Sequence, residues 1–514
     1  MTNVSDTESP PSSPRSTRWL GHPRGLATLF FTEMWERFSY YGMRALLILY
    51  MTAAATGANP GLGLGTRDAA AVYGIYTALV YLMALPGGWA ADRLWGARNT
   101  VFSGGCIIAC GHFSMAAPLI GLPVTPSFIL GLTLIVAGTG LLKPNISAMV
   151  GDLYPEGGAR RDAGFTIFYM GINLGGMAGP LLCGLLAENF DWHWGFSLAG
   201  FGMVLGLIQY RMGARHLGDA GLRAISQEDT GRKPAPLLPL VLAVLIGVTI
   251  ALGSAAASGF VITLGLIAEW LGAAVISMAG LYFAYLFFGA GLSPDEKKRL
   301  TVIIWLFLLA ALFWSGFEQA GSSLNLFAYT LTERTMFGWE MPASWLQSIN
   351  PLFIIALAPI FGTLWTGLAR RNADPSTPMK FALGLIGLSA GFFVIAWGAA
   401  NTSPENPASP AWLIVTYFLH TCGELCLSPV GLSAMTKLAP RGRVGQMMGV
   451  WFIAAAVGNL IAGLVAGYLE DLSPDGLFWK VAMFTGAAGL IAILASPLVQ
   501  RLAGHSRSVH HTQA

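Results

Sequence analysis

Glu33-Met-Trp-Glu36-Arg37-Phe-Ser-Tyr40-Tyr41-Gly42-Met-Arg44 lies inside residues 27–54, a run otherwise apolar enough to cross a bilayer. On a helix, Glu33, Glu36, Arg37, Tyr40, Tyr41 and Arg44 recur at i, i+3, i+4, i+7, i+8 and i+11, so all of them share one stripe. A charged side chain at the centre of a membrane helix costs about 2.5 to 3.5 kcal/mol on insertion scales. A stripe of such residues therefore has to face protein or a water-filled cavity, and the rest of the chain has to supply it.

Composition agrees. The chain has 514 residues, of which 54% are hydrophobic and 11% charged, and its mean hydropathy is +0.60. Soluble domains carry about 25% charged residues, so these values describe an all-α polytopic membrane protein. The net charge of +3 gives no sign of a nucleic-acid partner. Cys106, Cys110, Cys183, Cys422 and Cys426 all fall in apolar segments, and their two Cys-x3-Cys pairs lack the ligand-rich surroundings of a metal site. No metal and no organic cofactor are expected.

Further runs of spanning length lie near 68–92, 99–118, 126–150, 162–187, 194–212, 236–256, 260–290, 300–331, 342–369, 379–400, 409–436, 444–469 and 477–500. With 27–54 they make 14 spans, arranged as six, two and six. The expected organisation is a disordered cytoplasmic tail (1–25), a six-helix bundle (26–213), a basic cytoplasmic linker (214–235), an inserted helical hairpin (236–290), a second six-helix bundle (291–503) and a cytoplasmic tail (504–514). The first 25 residues are rich in Ser, Thr and Pro and lack the apolar core of a leader. Basic residues follow the positive-inside rule when both termini lie inside. Of 29 Lys and Arg, 23 then fall in cytoplasmic segments, Arg67, Arg334 and Lys480 fall outside, and Arg37, Arg44 and Lys143 fall within spans.

The two sixes carry a faint repeat. Arg160, Phe168 and Gly175 stand 283 positions before Arg443, Trp451 and Gly458. Repeated halves of a transporter place the substrate between them, often beside helices interrupted by Gly or Pro. Pro86, Pro144, Pro180, Pro351, Pro359 and Pro429 are candidate interruptions.

Gly88-Trp-Ala-Ala-Asp92-Arg93-Leu-Trp-Gly96-Ala-Arg98, between the second and third spans, resembles the loop signature of the major facilitator superfamily with one extra residue before the second glycine. Asp92 and Arg93 are the candidate conformational latch. The opening stripe, Glu33 to Gly42, matches every fixed position of the Glu-x-x-Glu-Arg-Phe-x-Tyr-Tyr-Gly motif of the proton-coupled oligopeptide transporter family. Gly140-Leu-Leu-Lys143-Pro-Asn-Ile-Ser147, Phe165 to Gly175, Phe313-Trp314-Ser-Gly-Phe-Glu318-Gln319, Pro342 to Pro351 and Gly423-Glu424-Leu-Cys-Leu-Ser428-Pro429 also resemble signatures of that family, in order from the first span to the tenth of the two sixes. The resemblance implies a major facilitator fold of the bacterial type, with an extra helical pair between the bundles.

The resemblance further implies a proton-coupled symporter of di- and tripeptides, multi-pass in the inner membrane, with the proton as coupling ion. Glu33, Glu36, Arg37, Lys143 and Glu318 would carry the coupling. Arg44 and Lys143 would engage the peptide carboxylate, and Glu424 with Asn173 and Asn350 the amino end and backbone. Tyr40, Tyr41, Tyr81, Tyr169, Trp314 and Trp451 would shape side-chain pockets, with Glu318 and Ser428 also at the site. At the tyrosine of the second span, Tyr76 competes with Tyr81. Chemically, a planar guanidinium suits a carboxylate and an ionised acid suits an ammonium. The intramembrane acids Glu33, Glu36, Glu318 and Glu424 outnumber the bases Arg37, Arg44 and Lys143 by one, so a single proton restores neutrality. His112 and His420 stand outside the signatures and read as core residues rather than proton carriers, and Glu269 reads as a helix-surface or interface acid.

Competing readings are a symporter of another anionic or drug-like solute, a non-transporting peptide receptor on the same scaffold, and an integral membrane enzyme. The last lacks any Gly-x-Ser-x-Gly, His-Glu-x-x-His or Cys/His cluster. A monomer is expected. The orientation is open to test: cysteines introduced beside Arg223 should resist a membrane-impermeant thiol reagent in intact cells, and ready labelling would overturn the 14-span assignment.

Overall fold

The computed structural model describes residues 18–156, 158–222, 263–336, 338–441 and 443–503. Their order is α1 (Arg24–Thr52), α2 (Thr66–Leu82), α3 (Ala84–Ala90), α4 (Gly96–Ala116), α5 (Val124–Asp152), α6 (Gly158–Asn189) and α7 (Trp192–Gly213). Then follow α8 (Leu264–Ala284), α9 (Pro294–Phe317), α10 (Ser323–Thr330), α11 (Ile349–Arg370), α12 (Thr377–Ala399), α13 (Ala411–Leu438), α14 (Val444–Gly467) and α15 (Pro474–Leu502). Ten stretches of described helix are long and apolar enough to cross a membrane. The expected run 236–256 lies outside the described residues, as do residues 1–17, Arg223, Arg232 and Lys233 of the linker, and the tail from 504.

Helix starts follow local chemistry. Ser293 and Glu296 form a reciprocal capping box at α9, Asp191 accepts the His193 N–H at α7, and Ser376 accepts the Met379 N–H at α12. Between helices, small residues replace the hydrophobic drive that lipid removes. A Cβ at Gly42 of α1 would lie 2.6 Å from Cys183 Sγ of α6, and one at Gly175 of α6 would lie 2.9 Å from the Arg37 Cβ and the Phe38 nitrogen. These contacts seat the charged helix deep in the bundle, with Glu33, Glu36, Arg37 and Arg44 all buried.

α1 and α4 to α7 pack as one group, and α9, α12, α13 and α15 as another. α2 leaves its own group to pack on α14, where Gly74 and Gly463 meet backbone to backbone. α8 lies over that seam, with Ala268 and Leu271 against Ala71, Ala78, Ala456 and Leu460. Pro144, Pro180, Pro359 and Pro429 lie inside unbroken helices. The sharper interruption follows Phe317, where a 3-10 turn over Glu318–Gly321 separates α9 from α10 without any proline. Gly321 makes it possible, since a side chain there would collide with the Tyr73 hydroxyl.

Hydrogen bonds between the two groups gather on the half that carries the connections 53–65 and 331–342, called upper below. Asn325 Nδ2 donates to the Ala45 carbonyl at 2.8 Å, Trp345 Nε1 to Leu181 at 2.8 Å and Ser348 Oγ to Met177 at 2.8 Å. At the top of this seam the Glu188 carboxylate of α6 accepts from the Ala343 N–H (2.7 Å), the Ser344 N–H (3.0 Å) and the Ser344 hydroxyl (2.6 Å). It thereby caps the 3-10 helix Ala343–Ser348 that leads into α11. A hydrogen bond to a charged group contributes about 1.5–3 kcal/mol, so losing even one shifts a two-state equilibrium about tenfold. In Glu188→Ala, a cysteine replacing Gln347 should react at least about tenfold faster with an impermeant thiol reagent at the upper face. An unchanged rate would leave the seam held by packing alone.

Candidate functional site

The stripe on α1 divides into two ion-pair clusters. Arg37 Nε lies 2.7 Å from Glu33 and 2.9 Å from Glu36, all three side chains at most 4% exposed. Its guanidinium also stands 5.6 Å from the Tyr40 ring centroid. Two turns on, Arg44 reaches across to the other group, with Nη2 at 2.7 Å from Glu318 and Nε donating to the Tyr73 hydroxyl at 2.6 Å. The turn after Phe317 is what presents Glu318 to it.

Below that pair lies a cavity lined by α1, α2, α6, α9, α11 and α13. Of the residues expected at the substrate site, Arg44, Tyr41, Tyr81, Asn173, Trp314, Glu318, Asn350 and Glu424 line it, as does Tyr169. Asn350 Nδ2 donates to Glu424 at 3.2 Å and to Thr421 at 2.9 Å, while Asn173 Nδ2 donates to the Tyr169 carbonyl at 2.9 Å. Glu424 is buried, and no cation lies within ion-pair distance of it among the described residues.

Tyr40, Lys143, Ser428 and Trp451 are not among the lining residues. Tyr40 stacks on Tyr76 at 6.5 Å, which separates the two candidate tyrosines: Tyr76 packs, and Tyr81 reaches the cavity. Lys143 stands over the Tyr81 ring at 4.0 Å rather than in ion-pair contact with Glu33 or Glu36. Trp451 packs edge-on against Phe381 at 6.3 Å and over Gly431. Asp92 and Arg93 are exposed, on a π-helical turn over Ala91–Trp95 that ends at Gly96, whose φ is 72°. Among the described residues no group of three or more His, Cys, Asp or Glu could hold a metal ion.

Gln347 and Tyr417 line the cavity although the sequence reading gave neither a role there, and His420, read as a core residue, is also among the lining residues. Tyr417, His420 and Glu424 fall at i, i+3 and i+7, a polar stripe on α13 that spacing alone could have revealed.

A bundle of membrane-length helices in two groups, closed over a buried cavity lined by acids, an arginine and amides, is built as a solute transporter. The pattern of the POT family matches residues 98–479, and the chain belongs to that family. It is 41% identical over 509 residues to peptide transporter YePEPT of Yersinia enterocolitica subsp. palearctica serotype O:3, covering 98% of each chain. It is 38% identical over 496 residues to a di-/tripeptide transporter of Lactococcus lactis subsp. cremoris, covering 95% of this chain and 98% of that one. A crystal structure of peptide transporter POT in complex with sulfate superposes with a TM-score of 0.85 at 38% identity, covering 95% and 97% of the two chains.

Removing one partner from a buried ion pair typically costs about 3–5 kcal/mol, because a charge is left without compensation. Arg37→Met should therefore lower the thermal unfolding midpoint in detergent clearly, and adding Glu33→Gln to it should recover part of the loss. Unchanged midpoints would mean that Arg37 is not what compensates these acids.

Proposed function

We propose that the chain is a proton-coupled symporter that imports di- and tripeptides by alternating access. The observation that carries this reading is the placement of charge. Arg37 pairs with both Glu33 and Glu36, and of the two acids that line the cavity Glu318 is paired with Arg44 while Glu424 has no cation within ion-pair distance among the described residues. Either a proton or the ammonium of a substrate has to balance it. A peptide zwitterion carries that ammonium and, at its other end, a carboxylate suited to Arg44 across the same cavity. The names of the relatives, a peptide transporter and a di-/tripeptide transporter, support the same substrate class.

In this reading the fold is two six-helix bundles, 26–213 and 291–503, with an inserted hairpin at 236–290, 14 spans in all, and both termini and the linker 214–235 on the cytoplasmic side of the inner membrane. The upper face is then external. The chain works as a monomer, makes or breaks no bond, and needs no cofactor besides the proton. Arg44 paired with Glu318 keeps the upper entrance shut. Protonating Glu318 frees Arg44 for the substrate carboxylate. Glu33 and Glu36, with Arg37 and Lys143, pass the proton on when the opposite end opens. Tyr41, Tyr81, Asn173, Trp314, Asn350 and Glu424 hold the substrate, and Tyr40, Ser428 and Trp451 shape the walls behind them or join the site as the bundles rock. Asp92 and Arg93 latch one of the two end states.

Proteoliposome uptake of a labelled dipeptide tests the reading, and accumulation should require an inward proton gradient. A Gln mimics a permanently protonated acid that cannot release its proton. Glu33→Gln and Glu318→Gln should each abolish gradient-driven uptake, while Glu33→Gln keeps exchange between labelled and unlabelled pools. Accumulation at wild-type level in Glu33→Gln would remove that acid from the proton path.

A further inference from the structure

α8 lies in the expected hairpin 236–290, and none of its residues lines the cavity. Its lower half is fixed to the second group of helices. The Tyr282 hydroxyl donates to Gln446 Oε1 of α14 at 2.8 Å, Phe283 packs edge-on against Phe307 of α9 at 5.4 Å, and just past the helix end Lys297 of α9 stands over the Phe287 ring at 5.5 Å. α14 is itself seated on α9 at backbone range, since a Cβ at Gly458 would lie 2.9 Å from the Ala311 carbonyl oxygen. α2, by contrast, is fixed at both ends to the first group. Above it, Leu62 and Leu64 of the connection 53–65 donate their N–H groups to the Tyr50 and Met51 carbonyls of α1 at 3.0 and 2.8 Å. Below it, the Gly87 carbonyl of α3 accepts from Asn145 Nδ2 of α5 at 3.1 Å. Where α8 meets α2 the side chains are small or apolar: Ala268, fully buried, and Leu271 lie with Ala71 and Ala78 of α2 and with Ala456 and Leu460 of α14.

We propose that α8 moves as part of the second group and, with α14, forms a track along which α2 slides when the upper side opens and closes. The proposal rests on the alternating-access reading and gives the inserted helix a task within it. Domains that move by shear do so by sliding packed helices over one another. A surface of methyl groups suits that motion, because apolar contact is non-directional and is remade as one residue passes another. The tie at the upper end of α2 is of a different kind. The Arg67 backbone N–H donates to Glu470 at 2.9 Å and the Arg67 guanidinium pairs with Asp471, both acids standing between α14 and α15. Those contacts are exposed, so water replaces them at little cost as α2 leaves. A seam between α2 and α14 alone would open toward lipid as it slid, and Tyr81, which packs against the same cluster, also lines the cavity. α8 covers that seam throughout the motion and keeps hydrocarbon away from the charged cavity.

Cross-linking of the full chain in proteoliposomes tests the proposal. Ala71→Cys with Ala268→Cys joins α2 to α8, and Gly272→Cys with Leu460→Cys joins α8 to α14, where a Cβ at Gly272 would lie 3.0 Å from Leu460 Cδ2. Each pair is treated with a short bifunctional methanethiosulfonate, and dipeptide exchange is measured before treatment, after it, and after release by reductant. The native thiols Cys106, Cys110 and Cys422 lie in none of these helices, and variants with one introduced cysteine control for them. The α2–α8 link should lower exchange at least about tenfold, reductant should restore it, and the α8–α14 link should change it less than about twofold, because only the first joins surfaces that slide. Ala78→Cys with Leu271→Cys repeats the first arm if Ala71→Cys or Ala268→Cys disturbs the protein before any linking. Exchange that survives the α2–α8 link, or that is lost with the α8–α14 link, would overturn the proposal while wild-type transport stands, as would failure of both α2–α8 pairs to link. A wild-type protein that shows neither uptake nor exchange of dipeptide would overturn the transport reading and this proposal with it.

Discussion

Arg37, held between Glu33 and Glu36 at 2.7 and 2.9 Å, is the contact the rest of the structure has to accommodate. Three charges on one helix cannot face lipid, and their mutual pairing does not remove the cost of keeping water away from them. α1 is therefore enclosed, and the enclosure works at backbone range. Gly175 and Gly179 of α6 and Gly202 of α7 present no side chain to α1, so the neighbouring helices close around it. The small residues of α6 and the charges of α1 are two sides of one constraint, because a bulkier α6 would open a path for lipid to the ion pairs.

Arg44 depends on a second local device. Its partner Glu318 belongs to the other group of helices, and the 3-10 turn at Glu318–Gly321 brings that carboxylate to it. The turn is stabilised by Gly321, which leaves room for the Tyr73 hydroxyl that also receives the Arg44 Nε–H. One missing side chain thus permits a three-way contact between α1, α2 and the α9 break. The pair is short-ranged and charge-dependent, unlike the hydrogen bonds from Asn325, Trp345 and Ser348 to backbone carbonyls nearby. Loss of the charge on Glu318 would weaken the first kind of contact and leave the second.

Periodicity and composition made the helices legible, and the charge stripe of α1 fell out of simple spacing. The facing of individual side chains did not. Tyr40 and Tyr41 are adjacent and about 100° apart around the helix, and only the latter lines the cavity, a distinction no motif encodes. Tyr76 and Tyr81 were indistinguishable because the choice depends on a distant residue: Tyr76 meets Tyr40, while Tyr81 meets Lys143 from α5. Proline was a mixed guide: Pro144, Pro180, Pro359 and Pro429 sit in continuous helices, where neighbouring helices can satisfy the freed carbonyls, whereas Pro86 follows the break between α2 and α3 and Pro351 follows the change from the 3-10 helix Ala343–Ser348 to α11. The break that matters follows Phe317 and is marked only by a glycine. His420, read as a core histidine, is buried with Nε2 at 3.1 Å from the Leu388 carbonyl oxygen.

The cavity as built is polarised along one direction, and that polarity is a property of two helices from different groups. α1 brings Arg44, paired with Glu318, and α13 brings Glu424, which accepts from Asn350. Glu318 already compensates Arg44, so the wall that lacks a countercharge is the one at Glu424, in a region where an uncompensated charge is costly. A solute that carried both charges would reach Arg44 only in competition with Glu318, and would then link the two groups of helices through itself. A zwitterion brings no net charge, so the excess of one acid over the bases Arg37, Arg44 and Lys143 is the same in the filled site as in the empty one, and only a proton can remove it.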